Sequence, residues 1–164
     1  MKTMELNPNQ IITLNDYPVY SDSVLSEYYK KCKLGEDVPF VPVIRKEIVR
    51  KYLDSNLLEE FERFEHQSPV AEYFMLDGSH RTTALTLAGC KISTIIYETD
   101  SDIEEAKRLV ATGQIRQNDT LEHSLEENCE ILNRHFREKP YFMTVEQKSE
   151  KMKREKKIPQ EIRW

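Results

Sequence analysis

Apolar positions along the chain follow two patterns: short runs that end at turn residues, and stripes in which every third or fourth residue is apolar. The runs are typical of buried strands and the stripes of amphipathic helices. They predict strands within 6–14, 38–44, 71–76 and 91–98, and helices over 23–33, 46–65, 79–88, 101–113 and 119–136. Two prolines in 38–44 cannot donate to a strand ladder, so we expect an edge strand or the entry to a strand there.

This order of elements predicts an α+β fold, in which a small mixed sheet carries flanking helices and a helical C-terminal extension. We expect a domain over 6–114, with the helix near 46–65 as an insertion, and a charged extension over 119–164. The stripe over 119–136 needs a partner, either its own domain or a second copy in a homodimer. The charged segment from Thr144 to Lys157 is typical of a solvated helix or tail, with an acidic partner as the alternative.

One stretch joins strand, turn and helix without a spacer. The apolar run over 71–76 ends at Asp77 and Gly78, Ser79 can cap a helix, and Gly89 can end it. A helix that begins so directly after a strand points its first free N–H groups at whatever lies above the turn. An anion is the natural occupant of such a position.

Composition limits the function classes. The 164 residues carry a net charge of −5. Proteins that bind duplex DNA usually do so through a broad basic face, so we do not expect duplex DNA as a partner. No run of about 18 apolar residues occurs, so we expect no membrane association. The three cysteines have no paired spacing and indicate neither a zinc ribbon nor a secreted disulfide framework, so a reducing cytoplasm fits best.

The groups that converge at the turn match those that bind nucleotide phosphates. Helix N-terminal amides and an arginine fork favour phosphate oxygens, a carboxylate can hold Mg²⁺ against them, and a histidine can donate or exchange a proton. We predict catalytic roles for His80 and Asp77, and we predict that Asp77 also binds the metal. The residues predicted to bind the phosphates or the nucleotide are Gly78, Ser79, His80, Arg81, Thr82 and Thr83. The alternative is that these residues form only a turn and a helix cap, and that His80 and Arg81 are surface residues.

Other residues with reactive side chains have simpler interpretations. His66, His123 and His135 lie isolated in charged stretches, and we expect structural or solvated roles for them. Cys90 and Cys129 are interpreted as packed thiols because no neighbouring base or cation indicates a reactive thiolate.

The segment FMLDGSHRTTALTLAG at 74–89, followed by the strand over 92–97, resembles the signature of the ParB/sulfiredoxin-like superfamily. In that superfamily a strand ends in a short glycine-containing motif that usually closes in Arg, and the next helix ends in Ala-Gly before another strand. Leu6 to Gln10 resembles the opening Pro-Asn segment, and Phe40 to Ile44 resembles the strand that contains a proline and a valine. The resemblance covers about 6–114, and the central 25 or so residues match closely.

Residues at the turn distinguish the branches of this superfamily. Sulfiredoxins have a reactive Cys immediately before His-Arg, where this chain has Ser79, so sulfinic-acid reduction is not supported. ParB proteins bind CTP and continue into a helix-turn-helix region, and nothing basic of that size follows Gly113. The turn is most similar to the Asp-Gly-His-His-Arg motif of archaeal free-serine kinases, which use ADP. That resemblance implies magnesium at Asp77 and phosphates at 78–81.

Two departures from the kinases leave parts of the resemblance open. Their catalytic Glu would fall near Asn9 or Gln10, or at Glu27 in a loose alignment, so the general base is unassigned. The helix over 46–65 lies where relatives cross directly between strands. The expected function is nucleotide-phosphate binding with Mg²⁺ and ATP, ADP or CTP, and phosphoryl transfer to a small acceptor. The alternatives are a non-enzymatic nucleotide-dependent adaptor that binds DNA or a protein, and a ParB-like nuclease.

Overall fold

The computed structural model describes residues 2–14, 19 and 21–162, apart from the side chain of residue 161. These residues form a five-stranded mixed sheet in the order β1-β5-β3-β4-β2. β1 pairs antiparallel with β5 and β3 antiparallel with β4, whereas β3–β5 and β2–β4 are parallel. The strands are β1 Lys2–Leu6, β2 Ile11–Ile12, β3 Val41–Arg45, β4 Tyr73–Met75 and β5 Ile92–Ile96. The α+β class with a mixed sheet is confirmed.

Helices cover both faces of this sheet. They are α1 Asp22–Lys33, α2 Lys46–Val49, α3 Ser55–Gln67, α4 Ser79–Leu87, α5 Asp100–Leu109, α6 Leu125–Glu138 and α7 Val145–Arg154. On one face, Phe74 of β4 packs in a cluster with Phe61 of α3 and Phe136 of α6. On the other face, Met75 packs in a cluster with Leu85 of α4. α4 is in turn covered by α1 and α7. Alternate residues of β4 thus serve two cores, which fixes the strand that leads into the predicted site.

Two strand predictions need correction. The sequence pattern missed β1 because it is a sheet-edge strand with four exposed residues, so it lacks an apolar signal. β3 was predicted at an edge because of its prolines, but it lies at the centre of the sheet. Pro42 is tolerated there because it lies one residue beyond the last β3–β4 pair, Val43 with Met75. Its carbonyl accepts a hydrogen bond from the Leu76 N–H, 2.9 Å away.

The predicted helix over 46–65 is two helices, α2 and α3, with a 3₁₀ turn at Arg50–Tyr52 and a break at Leu53 and Asp54. Asp54 precedes α3 but does not cap it with its side chain. Its carboxylate instead accepts hydrogen bonds from Asn133 at 3.0 Å and Arg137 at 2.8 Å, both on α6. The break therefore provides an attachment for α6.

Other helix boundaries also shift. α5 begins at Asp100 after a Thr99–Asp102 capping box, one residue before the predicted start. The predicted helix over 119–136 is a 3₁₀ turn at Asp119–Glu122 followed by α6, which begins after a Ser124–Glu127 capping box. In both cases the cap that forms is set by packing as well as by local spacing.

The C-terminal helices share the cores of the sheet. Cys129, Leu132 and Phe136 of α6 are buried with the aromatic residues of α3 and β4. The segment from Thr144 was predicted to be a solvated helix or a tail, and it contains the helix α7. One side of α7 is not solvated, since Val145, Lys148, Ser149 and Met152 are buried. Residues 163 and 164 of the predicted extension lie outside the described residues.

The interpretation of Cys90 as a packed thiol is wrong. Cys32, at the end of α1, and Cys90, just after α4, form a disulfide with a Cα–Cα distance of 6.5 Å. Their separation of 58 residues gives no paired spacing in the sequence. Cys129 is a buried free thiol, as predicted, and burial raises its pKa to about 11. No helix within the described residues is both long and apolar enough to cross a bilayer.

Candidate functional site

The predicted strand-turn-helix is present. β4 ends at Met75, Asp77 and Gly78 form the turn, and α4 begins at Ser79. Gly78, rather than the predicted Ser79, is the N-cap, and its φ of +101° lies in the region that favours glycine. A Cβ on Gly78 would lie 3.2 Å from Nη2 of Arg81, so the turn needs glycine both for its backbone angle and for this close approach.

Arg81 lies beneath the turn and holds it in place. Its side chain is 3% exposed; Nη1 donates to the carbonyls of Pro39 at 3.1 Å and Phe40 at 2.8 Å, and Nη2 donates to Oδ2 of Asp77 at 2.9 Å. Burial lowers the pKa of the guanidinium, whereas the Asp77 carboxylate raises it. Arg81 therefore joins the segment before β3 to the start of α4. It is committed to this structural role in addition to lining the cavity described next.

A cavity of about 550 Å³ opens above the turn. Asp77, Gly78, Ser79, His80 and Arg81 form one wall, so five of the seven predicted site residues lie together. The first amides of α4 have no partner within the helix by geometry, and glycine supplies no side-chain cap. These amides and the helix dipole favour an anion at this wall.

The Ser79 hydroxyl adds an independent observation. Ser79 is 5% exposed, it lines the cavity, and its Oγ has no hydrogen-bond partner among the described residues. A buried hydroxyl without a partner costs about 1–3 kcal/mol, so such groups are rare unless something else pairs with them. A phosphate oxygen bound at the N-terminus of α4 would supply the acceptor that this hydroxyl lacks.

His80 is held by the first turn of α1. Its Nε2 accepts a hydrogen bond from the Ser21 N–H at 3.2 Å, which requires an Nε2 without a proton. Burial lowers the pKa of His80, and the nearby Lys148 and Arg116 lower it further. Neutral His80 consequently carries its proton on Nδ1. The Nε2 lone pair that a general base would need is occupied.

Thr82 and Thr83 have a different place from the one predicted. Both are buried and neither is among the described residues that line the cavity. The Thr82 hydroxyl donates to the carbonyl of Gly78 at 2.9 Å and also contacts that of Ser79 at 3.2 Å. The reason is helical geometry: the hydroxyl turns back onto the preceding turn and stabilises it instead of reaching the space above.

The opposite wall comes from residues after α5 that sequence reasoning did not place in the site. Arg116 and Asp119 contribute charge, His123, Asn128 and His135 contribute polar groups, and Ile131 and Leu132 contribute apolar surface. His123 and His135, for which the sequence predicts structural or solvated roles, both line this cavity and are half-buried. Their spacing in the sequence gave no signal, because packing of α6 on the sheet brings them there.

Arg116 is the cation best placed for a ligand. It lines the cavity, and its Nη1 donates to the Tyr28 hydroxyl of α1 at 2.9 Å. That hydrogen bond raises the pKa of Arg116, and Asp77 raises it by charge. Unlike Arg81, Arg116 is exposed, so it can approach a phosphate without leaving a buried network.

Magnesium would find a suitable pair of oxygen ligands here. Asp77 has one carboxylate oxygen on Arg81, its side chain is 40% exposed, and Asp119 lines the same cavity. One or two carboxylates with phosphate oxygens are the usual ligands of Mg²⁺. The described residues contain no cluster of three or more His, Cys, Asp or Glu side chains arranged to hold a metal. The donor set therefore fits a metal shared with a phosphate.

The residues considered for the kinase-type Glu lie elsewhere. Asn9, Gln10 and Glu27 are not among the described residues that line the cavity. Gln10 instead accepts a hydrogen bond from the Asn7 N–H at 2.9 Å, and Glu27 forms an ion pair with Lys31.

Comparison with known proteins identified no relative. No protein-family model, no curated protein and no solved structure matches this chain.

Proposed function

We propose that this chain binds a nucleotide through its phosphates at the N-terminus of α4, and that with Mg²⁺ it transfers a phosphoryl group to a small acceptor. The observation that carries the proposal is the Ser79 hydroxyl, 5% exposed and without a hydrogen-bond partner among the described residues, beside the first amides of α4 in a cavity of about 550 Å³. Cavities of roughly 300–1,000 Å³ are typical of small-molecule and cofactor sites.

Charge supports a phosphate as the ligand. Arg116 lines the cavity directly, and Lys148 and Arg116 are close enough to lower the pKa of His80. Lys148 is 7% exposed and donates to the Leu14 carbonyl at 3.1 Å, so it contributes a fixed positive charge behind the wall. The lining carries Arg81 and Arg116 against Asp77 and Asp119, so the attraction for a phosphate comes from the position of Arg116 and of the α4 N-terminus rather than from a net positive wall.

The roles within the site follow from the contacts. The α4 amides and the Ser79 hydroxyl bind phosphate oxygens, Arg116 neutralises their charge, and neutral His80, held by the Ser21 N–H, forms part of the same wall. Magnesium, when bound to Asp77 and Asp119, would supply further charge neutralisation. Transfer would depend on positioning and electrostatics, as is usual for phosphoryl transfer.

The opposite wall supplies space and chemistry for an acceptor. Asn128 and His123 offer polar groups, with Ile131 and Leu132 beside them. His123 has Nδ1 3.8 Å from Oε2 of Glu127, one turn further along the chain, so this carboxylate lies beside its ring. The resemblance of the turn to free-serine kinases makes L-serine the first acceptor to try.

The test is calorimetric binding of ATP, ADP and CTP with Mg²⁺, followed by phosphorus NMR of each nucleotide with a panel of small hydroxyl acceptors. We expect micromolar binding that falls at least tenfold in Arg116→Ala and remains unchanged in Arg108→Ala, an exposed arginine outside the cavity. Binding without acceptor-dependent turnover would favour the adaptor. No binding by any nucleotide would overturn the proposal.

A further inference from the structure

The disulfide lines a second cavity, on the other side of the Pro39–Phe40 segment from the site. This cavity measures about 650 Å³, and both Cys32 and Cys90 contribute to its wall. Both cysteines are partly exposed, so a small thiol or disulfide can reach them. Lys31 and Lys91, each next to one cysteine, line the same cavity and favour a thiolate, although Glu5, Glu36 and Asp37 there oppose it.

The disulfide fastens one end of α1 to the site helix. Cys32 lies in the last turn of α1, and Cys90 follows α4 directly. At the other end of α1, the Ser21 N–H donates to His80 in the first turn of α4. Between these two points, Leu25 and Tyr28 pack in one cluster with Ala84 and Leu87. α1 is therefore held along the whole length of α4.

α1 also forms part of the ligand cavity. Val24 and Tyr28 line it, and the Tyr28 hydroxyl accepts the hydrogen bond that orients Arg116. Any shift of α1 away from α4 would change the position of Arg116 and the hydrogen bond to His80 together.

We propose that Cys32 and Cys90 form a reversible redox site, which sets the ligand affinity of the cavity by fixing α1 on α4. The effect on affinity rests on the proposed function, whereas the effect on α1 does not. The structure assigns the disulfide to the tight-binding state, because in that state Arg116 and His80 are both held by α1.

The chemistry is exchange with a low-molecular-weight disulfide. One cysteine thiolate attacks a sulfur of the small disulfide, a mixed disulfide forms, and one small thiolate leaves. The second cysteine thiolate then attacks the sulfur of the first cysteine in this mixed disulfide and releases the second small thiolate. The two protons lost by Cys32 and Cys90 are taken up by the two leaving thiolates, and the small disulfide is reduced by the two electrons that the cysteines give up.

The test compares the full chain after treatment with oxidised glutathione and with dithiothreitol. Thiol titration of the denatured protein should find one free thiol, Cys129, in the oxidised form and three in the reduced form. Reduction should increase amide hydrogen exchange in 21–33 at least severalfold and weaken ATP–Mg²⁺ binding about tenfold. Cys32→Ser and Cys90→Ser should resemble the reduced form under both conditions, and Cys129→Ser should still respond.

Three outcomes separate the claims. Three free thiols after oxidation would overturn the redox site. A disulfide that forms but leaves hydrogen exchange in 21–33 unchanged would overturn the proposal that it fixes α1. A change in exchange with no binding of ATP in either form would support the fixing of α1 and contradict the proposed function. If either serine variant loses its far-ultraviolet circular dichroism, the comparison of the two redox forms of the natural chain still decides the result.

Discussion

Ser79 and Arg81 lie two residues apart in the first turn of α4 but serve different purposes. Arg81 donates hydrogen bonds to Asp77 and to two backbone carbonyls, so it stabilises the turn. The Ser79 hydroxyl is equally buried and has no partner among the described residues. A group that weakens the free protein without a compensating contact is a candidate for ligand binding.

Ser79→Ala should therefore stabilise the free protein while weakening the complex. Removal of an unpaired buried hydroxyl should raise the free energy of unfolding by about 1 kcal/mol, measured by urea denaturation. Nucleotide affinity should fall about tenfold, because a hydrogen bond to a charged oxygen is lost.

The matched control is Ser149→Ala, another buried serine, on α7 and outside the cavity, whose hydroxyl has no partner in the part of the chain that the structure describes. It should raise stability by a similar amount and leave affinity unchanged. Equal affinities in natural protein and Ser79→Ala would remove Ser79 from the site.

His80 gives the protein a pH dependence of known sign. Its folded pKa is lowered from 6.5, chiefly by burial, so the unfolded chain takes up this proton at a higher pH than the folded one. Its contribution to stability is complete above about pH 6.5 and is lost as the pH falls through the lowered value. Protonation also ends the hydrogen bond from Ser21.

His80→Gln retains an acceptor near the position of Nε2 and removes the titration. Thermal melts between pH 7.5 and pH 5 should show a smaller loss of Tm in this variant than in the natural chain. Identical pH profiles for the two proteins would show that His80 does not titrate in this way.

At the scale of elements, the turn between β4 and α4 could be predicted because its signals are local. Asp77 and Gly78 mark the turn, and the apolar run before them and the helix after them lie within a few residues. The opposite wall could not be predicted, because packing between distant segments forms it: α6 carries His135 there, and burial of Ile115 in the same core carries its neighbour Arg116. The break at Asp54 was missed for the same reason: its hydrogen-bond partners lie 79 and 83 residues further along the chain.

The turn itself depends on Gly78. Gly78→Ala must place a side chain at a φ of +101° and within 3.2 Å of Arg81, so we expect a loss of more than about 1–2 kcal/mol in the free energy of unfolding. Gly35→Ala is the control, since φ there is +71° and nothing lies within 4 Å of the added Cβ. Equal losses would show that the contact with Arg81 does not matter.

The disulfide should stabilise the natural chain by restricting its unfolded state. A bond that closes 58 residues is worth about 4 kcal/mol in the chain-entropy treatment. Urea denaturation with and without dithiothreitol measures this directly. Cys129→Ser should show the same loss on reduction, and Cys32→Ser should show none.

At the scale of the molecule, the C-terminal helices belong to the same cooperative unit as the sheet. Phe136 of α6 is fully buried and packs edge-on against Phe74 of β4, with ring centroids 5.7 Å apart. The cavity lies between this helix and the β4–α4 turn, so the site exists only when both are folded.

Phe136→Ala should lower the free energy of unfolding by about 3–5 kcal/mol in a single transition. Its exposed neighbour Arg134 provides the control, and Arg134→Ala should change stability by less than about 0.5 kcal/mol. Two separate transitions in Phe136→Ala, with the sheet melting as in the natural chain, would show that α6 is an independent appendage.

The central claim is that nucleotide phosphates bind the N-terminus of α4, and backbone NMR tests it most directly. On titration with ATP and Mg²⁺, the amide signals of Ser79, His80 and Arg81 should move downfield and saturate together, because their N–H groups gain charged acceptors. The amide of Lys91, in the second cavity, should not move. Saturable ATP binding that leaves the three α4 amides unchanged would contradict the account.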